Sequence, residues 1–437
     1  MNKHTIGDLY QMQSLPLKYK IMMTKQRIQG WYDHFDGQIY VSFSGGKDST
    51  VLLDIVRNVC GLKDVPAVFV DVPTQYPELR EFAKTFDNVT ILKPKISFME
   101  VCDKYGFPFI SKEVSGAVYD AKKYLDRIRN RQNALTDRQT DRQTDRQTDR
   151  QTDRQTDEII GGHSAFADLM GIPRRQAAKE SETYLNLKKG IIPNEYEYLY
   201  RKGSEEGNVP VRVQMLFGEV VHKEKGVITQ EFSKRYDKSK YKFLLGSEFT
   251  LSDKCCKVMK KEPLHRYNRE TGRMPMTAQM ADESELRRSQ WLKNGCNGFE
   301  MKSPISNPMS FWTEQDVLQY IKENNLPICS VYGEVVEDLS GTDMVEGQMT
   351  ISDIAGFENE KDFDAKPLPL KTTGCNRTGC MLCGFGCHLE KSPNRFEMMK
   401  ETHPKMYALL DVVKNNGVTM REAIDWMNEH GNLNIRY

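Results

Sequence analysis

The sequence predicts an α/β fold: a doubly wound parallel sheet with a cysteine-rich metal-binding segment and C-terminal helices. Three observations carry that prediction. Apolar, strand-like runs alternate with helical patterns between residues 39 and 92, as in parallel strands joined by crossover helices. A glycine pair, Gly45-Gly46, separates the first of these strands from a helix. Four cysteines, Cys375, Cys380, Cys383 and Cys387, fall within thirteen residues and are interleaved with glycines.

Composition sets the bounds. A chain of 437 residues exceeds one ordinary core and implies two or three domains. The formal net charge of +1 gives no global electrostatic case for a nucleic-acid or membrane partner, although a local basic face is compatible with it. No apolar run is long enough to cross a bilayer, and MNKHTIGDLYQMQ lacks the apolar core of a secretion signal. The expectation is a cytoplasmic protein with no membrane partner. Ten cysteines in that compartment point to metal or redox chemistry rather than structural disulfides.

Residues 15–35 have apolar positions at helical spacing and predict a helix leading into a strand over residues 39–43. Residues 51–59 continue as helix, residues 67–71 form a short strand ending in Asp71, residues 74–86 a second helix, and residues 89–92 a third strand. The turn between the first strand and its helix reads Ser44, Gly45, Gly46, Lys47, Asp48, Ser49 and Thr50. Glycines let backbone N–H groups turn inward, and the helix N-terminus adds partial positive charge, so the turn suits an anionic phosphate. Lys47 supplies a point charge, while Asp48, Ser49 and Thr50 either cap the helix or hold a metal-bound phosphate. Ligands of open sheets sit outside the carboxyl ends of strands, which places Asp71 beside this turn unless it is an ordinary turn residue.

Residues 135–157 are a tandem repeat of Thr-Asp-Arg-Gln with no apolar side chain beyond Leu135, read as a solvated, poorly ordered or loosely helical insertion. The unit can be written ACA GAC AGA CAG, a repeat of the four bases ACAG. Gain or loss of one such unit shifts the reading frame and removes everything downstream, which would make expression phase-variable; a harmless expanded linker is the other reading. Sequencing the tract across clonal populations is expected to show uniform codons and variable length; mixed codons or a fixed length would exclude this phase variation.

Residues 161–242 are polar and mixed, with a strand pair expected over residues 209–217 and 219–228. Arg174, Arg175, Lys188 and Lys189 are read there as solvated charges. The adjacent Cys255-Cys256 is rarely a packing device. In Met280-Ala281-Asp282-Glu283-Ser284-Glu285-Leu286-Arg287-Arg288, Glu283 and Ser284 suit ribose or amide groups, and Arg287 or Arg288 a sulfate or phosphate fork; a charged helix start is the other reading. Thr313 is a helix cap with Trp312 in the core, and Met398, Met406, Leu409 and Trp426 mark a helical tail. Cys60, Cys102, Cys296 and Cys329 read as inert buried thiols.

The string Ser44-Gly45-Gly46-Lys47-Asp48-Ser49 resembles the PP-loop of the adenine-nucleotide alpha-hydrolase superfamily, and lacks the spacing of a Walker A loop. Together with Cys255-Cys256, the Asp282–Arg288 block and Cys380-x-x-Cys383 it resembles the phosphoadenylylsulfate (PAPS) reductase group, over roughly residues 30–110 and 245–395. The resemblance implies ATP, PAPS or APS on residues 44–50, with Asp71, Asp282, Glu283 and Ser284 also binding it; Lys47, Asp48, Arg287 and Arg288 catalytic; and Mg²⁺ on the phosphates. It implies a [4Fe–4S] cluster on Cys255, Cys256, Cys380 and Cys383; Cys375 and Cys387 are alternative ligands, and zinc the alternative metal. The domain reading is a nucleotide-binding domain in two parts, residues 1–130 and 246–330, interrupted by the repeat at 131–158 and a segment at 159–245 and followed by a cysteine-rich segment with a helical cap at 331–437. No cysteine follows Cys387, where sulfonucleotide reductases carry their nucleophile, so the implied activity is adenylylation or sulfur transfer to an acceptor such as a nucleic acid or a sulfur-carrier protein. A nucleotide-sensing or nucleic-acid-associated module without turnover is the alternative.

Overall fold

The computed structural model describes residues 3–147, 194–207, 209–220, 222–224, 227–230, 236–339 and 368–437. Residues 148–157 of the Thr-Asp-Arg-Gln tract, and Arg174, Arg175, Lys188 and Lys189, lie outside the described residues. The chain forms two compact units, one from residues 1–95 and 259–380, the other from residues 96–258 and 381–437.

The first unit is built on a six-stranded sheet in the order Val89–Leu92, Ala67–Val70, Ile39–Phe43, Met274–Met276, Ile305–Ser306, Asn297–Gly298. All neighbours run parallel except the last pair. Three strands and the helices between them follow the sequence pattern closely, because β-branched and aromatic runs fit a sheet buried on both faces. The helix after Ala67–Val70 is shorter than expected, Pro77–Lys84, since Pro77 takes its first turn and Tyr76 stays extended. Helix Leu17–His34 presents Leu17, Lys20, Thr24, Ile28 and Trp31 at helical spacing to the core. Its two polar members are matched: Lys20 Nζ lies 2.7 Å from both carboxylate oxygens of Asp316, and Thr24 Oγ1 accepts from Trp312 Nε1 at 2.9 Å. Thr313 caps Glu314–Glu323 in a reciprocal box with Asp316, and Trp312 is fully buried.

The second unit is mainly helical. Helix Lys112–Gln147 enters the repeat tract and buries Val114, Val118, Tyr124, Leu125 and Ile128, among others. The strand expected over residues 209–217 is instead helix Val211–Phe217, opened by Pro210 and closed by Gly218 at φ 70°. Its alternating Val-Arg-Val-Gln satisfies a strand pattern, but Val213, Leu216 and Phe217 bury together only on a helix. The hairpin that does form pairs His222–Glu224 with Val227–Gln230. Gly384–Phe385 pairs in parallel with Phe109–Ile110. The C-terminal part is helical as expected, over Arg395–Thr402 and Met420–Gly431, but on a shifted face: Phe396, Met399 and Met427 are buried while Met398 is exposed. Cys102, Cys296 and Cys329 are buried; Cys60 is half-buried.

Candidate functional site

Strand Ile39–Phe43 lies inside the sheet between Ala67–Val70 and Met274–Met276, so its carboxyl end opens at the middle of the first unit. Residues 44–46 turn there into helix Lys47–Asp54. Gly45 has φ +73°, and a Cβ on it would come within 3.2 Å of the Leu79 carbonyl oxygen. A Cβ on Gly46 would meet the Tyr332 hydroxyl at 3.1 Å. The turn is tied from within: Ser44 N–H donates to Ser49 Oγ at 3.1 Å and Gly46 N–H to Ser44 Oγ at 3.2 Å. The buried hydroxyls of Ser49 and Thr50 donate to the Gly46 carbonyl at 2.9 and 3.1 Å, so these two residues shape the loop rather than face its mouth.

Lys47 is only 3% exposed, and its Nζ donates to the Asn376 carbonyl at 2.8 Å and pairs with Glu314 at 2.9 Å. The same ammonium lies 5.6 Å from the centre of the Tyr332 ring, whose hydroxyl is hydrogen-bonded to Thr378 Oγ1 at 2.7 Å. Burial pushes the Tyr332 phenol up to about 12. Asp48 Oδ1 is buried with no hydrogen-bond partner among the described residues. Burial raises the Asp48 carboxyl, Glu314 adds to the rise, and Lys47, Arg377 and Arg287 act against it. Burial and the like charge of Arg377 lower the Arg287 guanidinium. Lys47, Arg287 and Arg377 thus act electrostatically on a carboxylate with one orphaned oxygen beside a phosphate-type turn, a charge set suited to anions and a bridging cation.

The other predicted residues are placed differently. Asp71 follows its strand as expected, but its carboxylate is taken by Arg80, with Nε 2.7 Å away. Glu283 accepts from the Met280 N–H at 2.9 Å and pairs with Arg287, Ser284 caps helix Glu285–Asn294, and Arg288 reaches Glu285 at 3.5 Å and Asp282 at 4.0 Å. The block is therefore a capped helix start that delivers Arg287 to the loop's charges. Sequence reasoning missed Glu314, Tyr332, Asn376, Arg377 and Thr378; the glycines flanking residues 375–378 were the one available signal.

The cysteines divide between the units. Cys375 and Cys380 belong with the loop, Cys375 Sγ bonding the Val331 carbonyl at 3.1 Å and Cys380 bridging to Gln75 through the backbone. Cys255, Cys256, Cys383 and Cys387 belong to the second unit. Cys387 Sγ reaches the Cys383 carbonyl at 3.7 Å, and burial pushes its thiol up to about 12. Among the described residues no group of three or more His, Cys, Asp or Glu side chains is placed to hold a metal ion.

A sequence model described as the phosphoadenosine phosphosulfate reductase domain matches residues 38–172 and 211–384, well over half of the chain. The chain belongs to the PAPS reductase family. That match contains the loop, Cys255-Cys256 and the Asp282–Arg288 block. PAPS reductase proteins are PP-loop proteins that bind PAPS- or APS-type nucleotides and are generally enzymes of sulfonucleotide reduction or adenylyl transfer. No curated protein matches this PAPS reductase family member. Among the described residues no helix is long and apolar enough to cross a membrane.

Proposed function

We propose that the protein is a cytoplasmic PP-loop enzyme that binds ATP or a sulfonucleotide on residues 44–50 and adenylylates an acceptor or transfers sulfur to it. The observation that carries this reading is the glycine turn that opens helix Lys47–Asp54, with buried Lys47 and the orphaned Asp48 oxygen beside it and the charges of Arg287 and Arg377 acting on that carboxylate. In adenylylation an acceptor oxygen bonds to the α-phosphorus, the bond to the β-phosphate oxygen breaks, and pyrophosphate leaves. Loop N–H groups and Lys47 orient the phosphates, and the arginines stabilise charge that builds on the oxygens in transit. The orphaned Asp48 oxygen fits Mg²⁺, which when bound neutralises phosphate charge. The chemistry proposed here runs on the loop and its cations.

Purified protein with ATP and a panel of acceptors, nucleic acids and sulfur-carrier proteins included, is expected to release pyrophosphate or AMP. Nucleotide binding without product from any acceptor would instead support a sensing module.

Asp48 gives a pH signature. A carboxyl raised by burial binds its proton more tightly folded than unfolded, so it costs stability as pH rises above the ordinary carboxylate range and loses its cation-binding form as pH falls through its raised value. Mg²⁺-dependent nucleotide affinity should therefore drop in mild acid. Asp48→Asn should keep or raise the melting temperature while weakening Mg²⁺-nucleotide binding about tenfold or more. A flat pH profile in the native protein, or equal affinity in the variant, would refute the role.

A further inference from the structure

Helix Lys112–Gln147 carries Lys123, Arg127 and Arg131 at four-residue intervals, so the three share one face with successive positions about 6 Å apart along the axis. All three are exposed and line an open groove of about 820 Å³ together with Tyr124, Asn130 and Pro210. Lys123 Nζ stands 4.7 Å from the Tyr119 ring centre and the Arg127 guanidinium 5.3 Å from that of Tyr124, which plants both stems on aromatic faces. Neither makes an ion pair with a described residue. Of the groove's two carboxylates, Asp120 lies 3.3 Å from Arg212, which also pairs with Asp253 at 3.1 Å, and Asp126 lies 2.9 Å from Arg129, which also pairs with Glu195 at 2.6 Å. The lining thus carries three cations against two carboxylates, on a chain that as a whole is close to neutral.

We infer that this groove docks a nucleic-acid phosphate backbone. Cations in a row at helical spacing suit a ligand whose anionic groups repeat, where an isolated anion would occupy only one of them. The exposed Asn130 amide adds donors for phosphate or sugar oxygens. No base-reading contact is implied, so binding should be sequence-tolerant and steeply salt-dependent. The inference rests on these second-unit residues and not on the nucleotide reading of the loop.

The test is fluorescence anisotropy of a labelled oligonucleotide, single-stranded and duplex, titrated with the full chain over a range of salt. Lys123→Glu with Arg127→Glu should weaken binding by tenfold or more and lower the slope of log affinity against log salt by about two. An unchanged melting temperature shows that the fold persists; if the reversal unfolds the protein, Lys123→Ala with Arg127→Ala takes its place, with a smaller loss in the same direction. No oligonucleotide binding by the native chain, or equal binding by folded variants, overturns the inference. So does tighter binding of phosphatidylserine vesicles or polyglutamate that depends on the same two residues.

Discussion

Lys47→Ala is expected to lower nucleotide turnover by about 10²–10³-fold, the usual cost of removing one preorganised charge from developing negative charge. The lysine is buried beside the loop, held in place by the Asn376 carbonyl and Glu314, so its ammonium requires little reorganisation when a phosphate arrives. Truncation frees Glu314, whose side chain is 44% exposed and can be hydrated, so the fold should survive. Lys47→Met keeps the stem against Tyr332 and removes only the charge; it should lose as much activity as alanine. Stopped pyrophosphate-release assays on both variants, with melting temperatures as the control, decide it. Activity within a few-fold of native in a folded Lys47→Met protein would show that the loop lysine does not contact the reacting phosphates.

Asp316→Ala should destabilise the protein by about 3–5 kcal/mol. Lys20 is 2% exposed and both carboxylate oxygens of Asp316 lie 2.7 Å from its Nζ, so the substitution strands a buried ammonium. It also removes the acceptor for the Thr313 N–H at 2.7 Å and with it the cap of helix Glu314–Glu323. Replacing both members of the pair, Lys20→Met with Asp316→Leu, should recover much of the loss, because the charge penalty vanishes even though the cap does not return. Urea unfolding followed by tryptophan fluorescence, with Trp31 and Trp312 both buried in this core, measures the effect. A loss below about 1 kcal/mol in Asp316→Ala would mean that water reaches Lys20 and the pair is not sealed.

The sheet was legible because its strands are local: Ile39–Phe43 and Val89–Leu92 each read as one apolar run, and Gly45-Gly46 marks the turn between the first strand and its helix. The cap at Thr313 was legible for the same reason, since a capping box is written in four consecutive residues. Helix Val211–Phe217 was not, because its alternation fits a strand and only packing in the folded unit decides otherwise. Half of the site was readable from the motif that contains Lys47 and Asp48. Glu314, Tyr332 and Arg377 were not, for they reach the loop from far along the chain and belong to no local pattern. Asp71 and Ser284 look like ligands in sequence, yet Arg80 takes the carboxylate of the one and the other caps its own helix, the second reading that the charged block already offered.

The central claim, that residues 44–50 bind an adenine nucleotide, is tested most directly by calorimetric titration of the native protein and Lys47→Ala with Mg²⁺-ATP, APS and PAPS. A single saturable site for at least one nucleotide, lost or weakened at least tenfold in the folded variant, is the predicted result. No heat of binding with any of the three, or equal affinity in the variant, would contradict it.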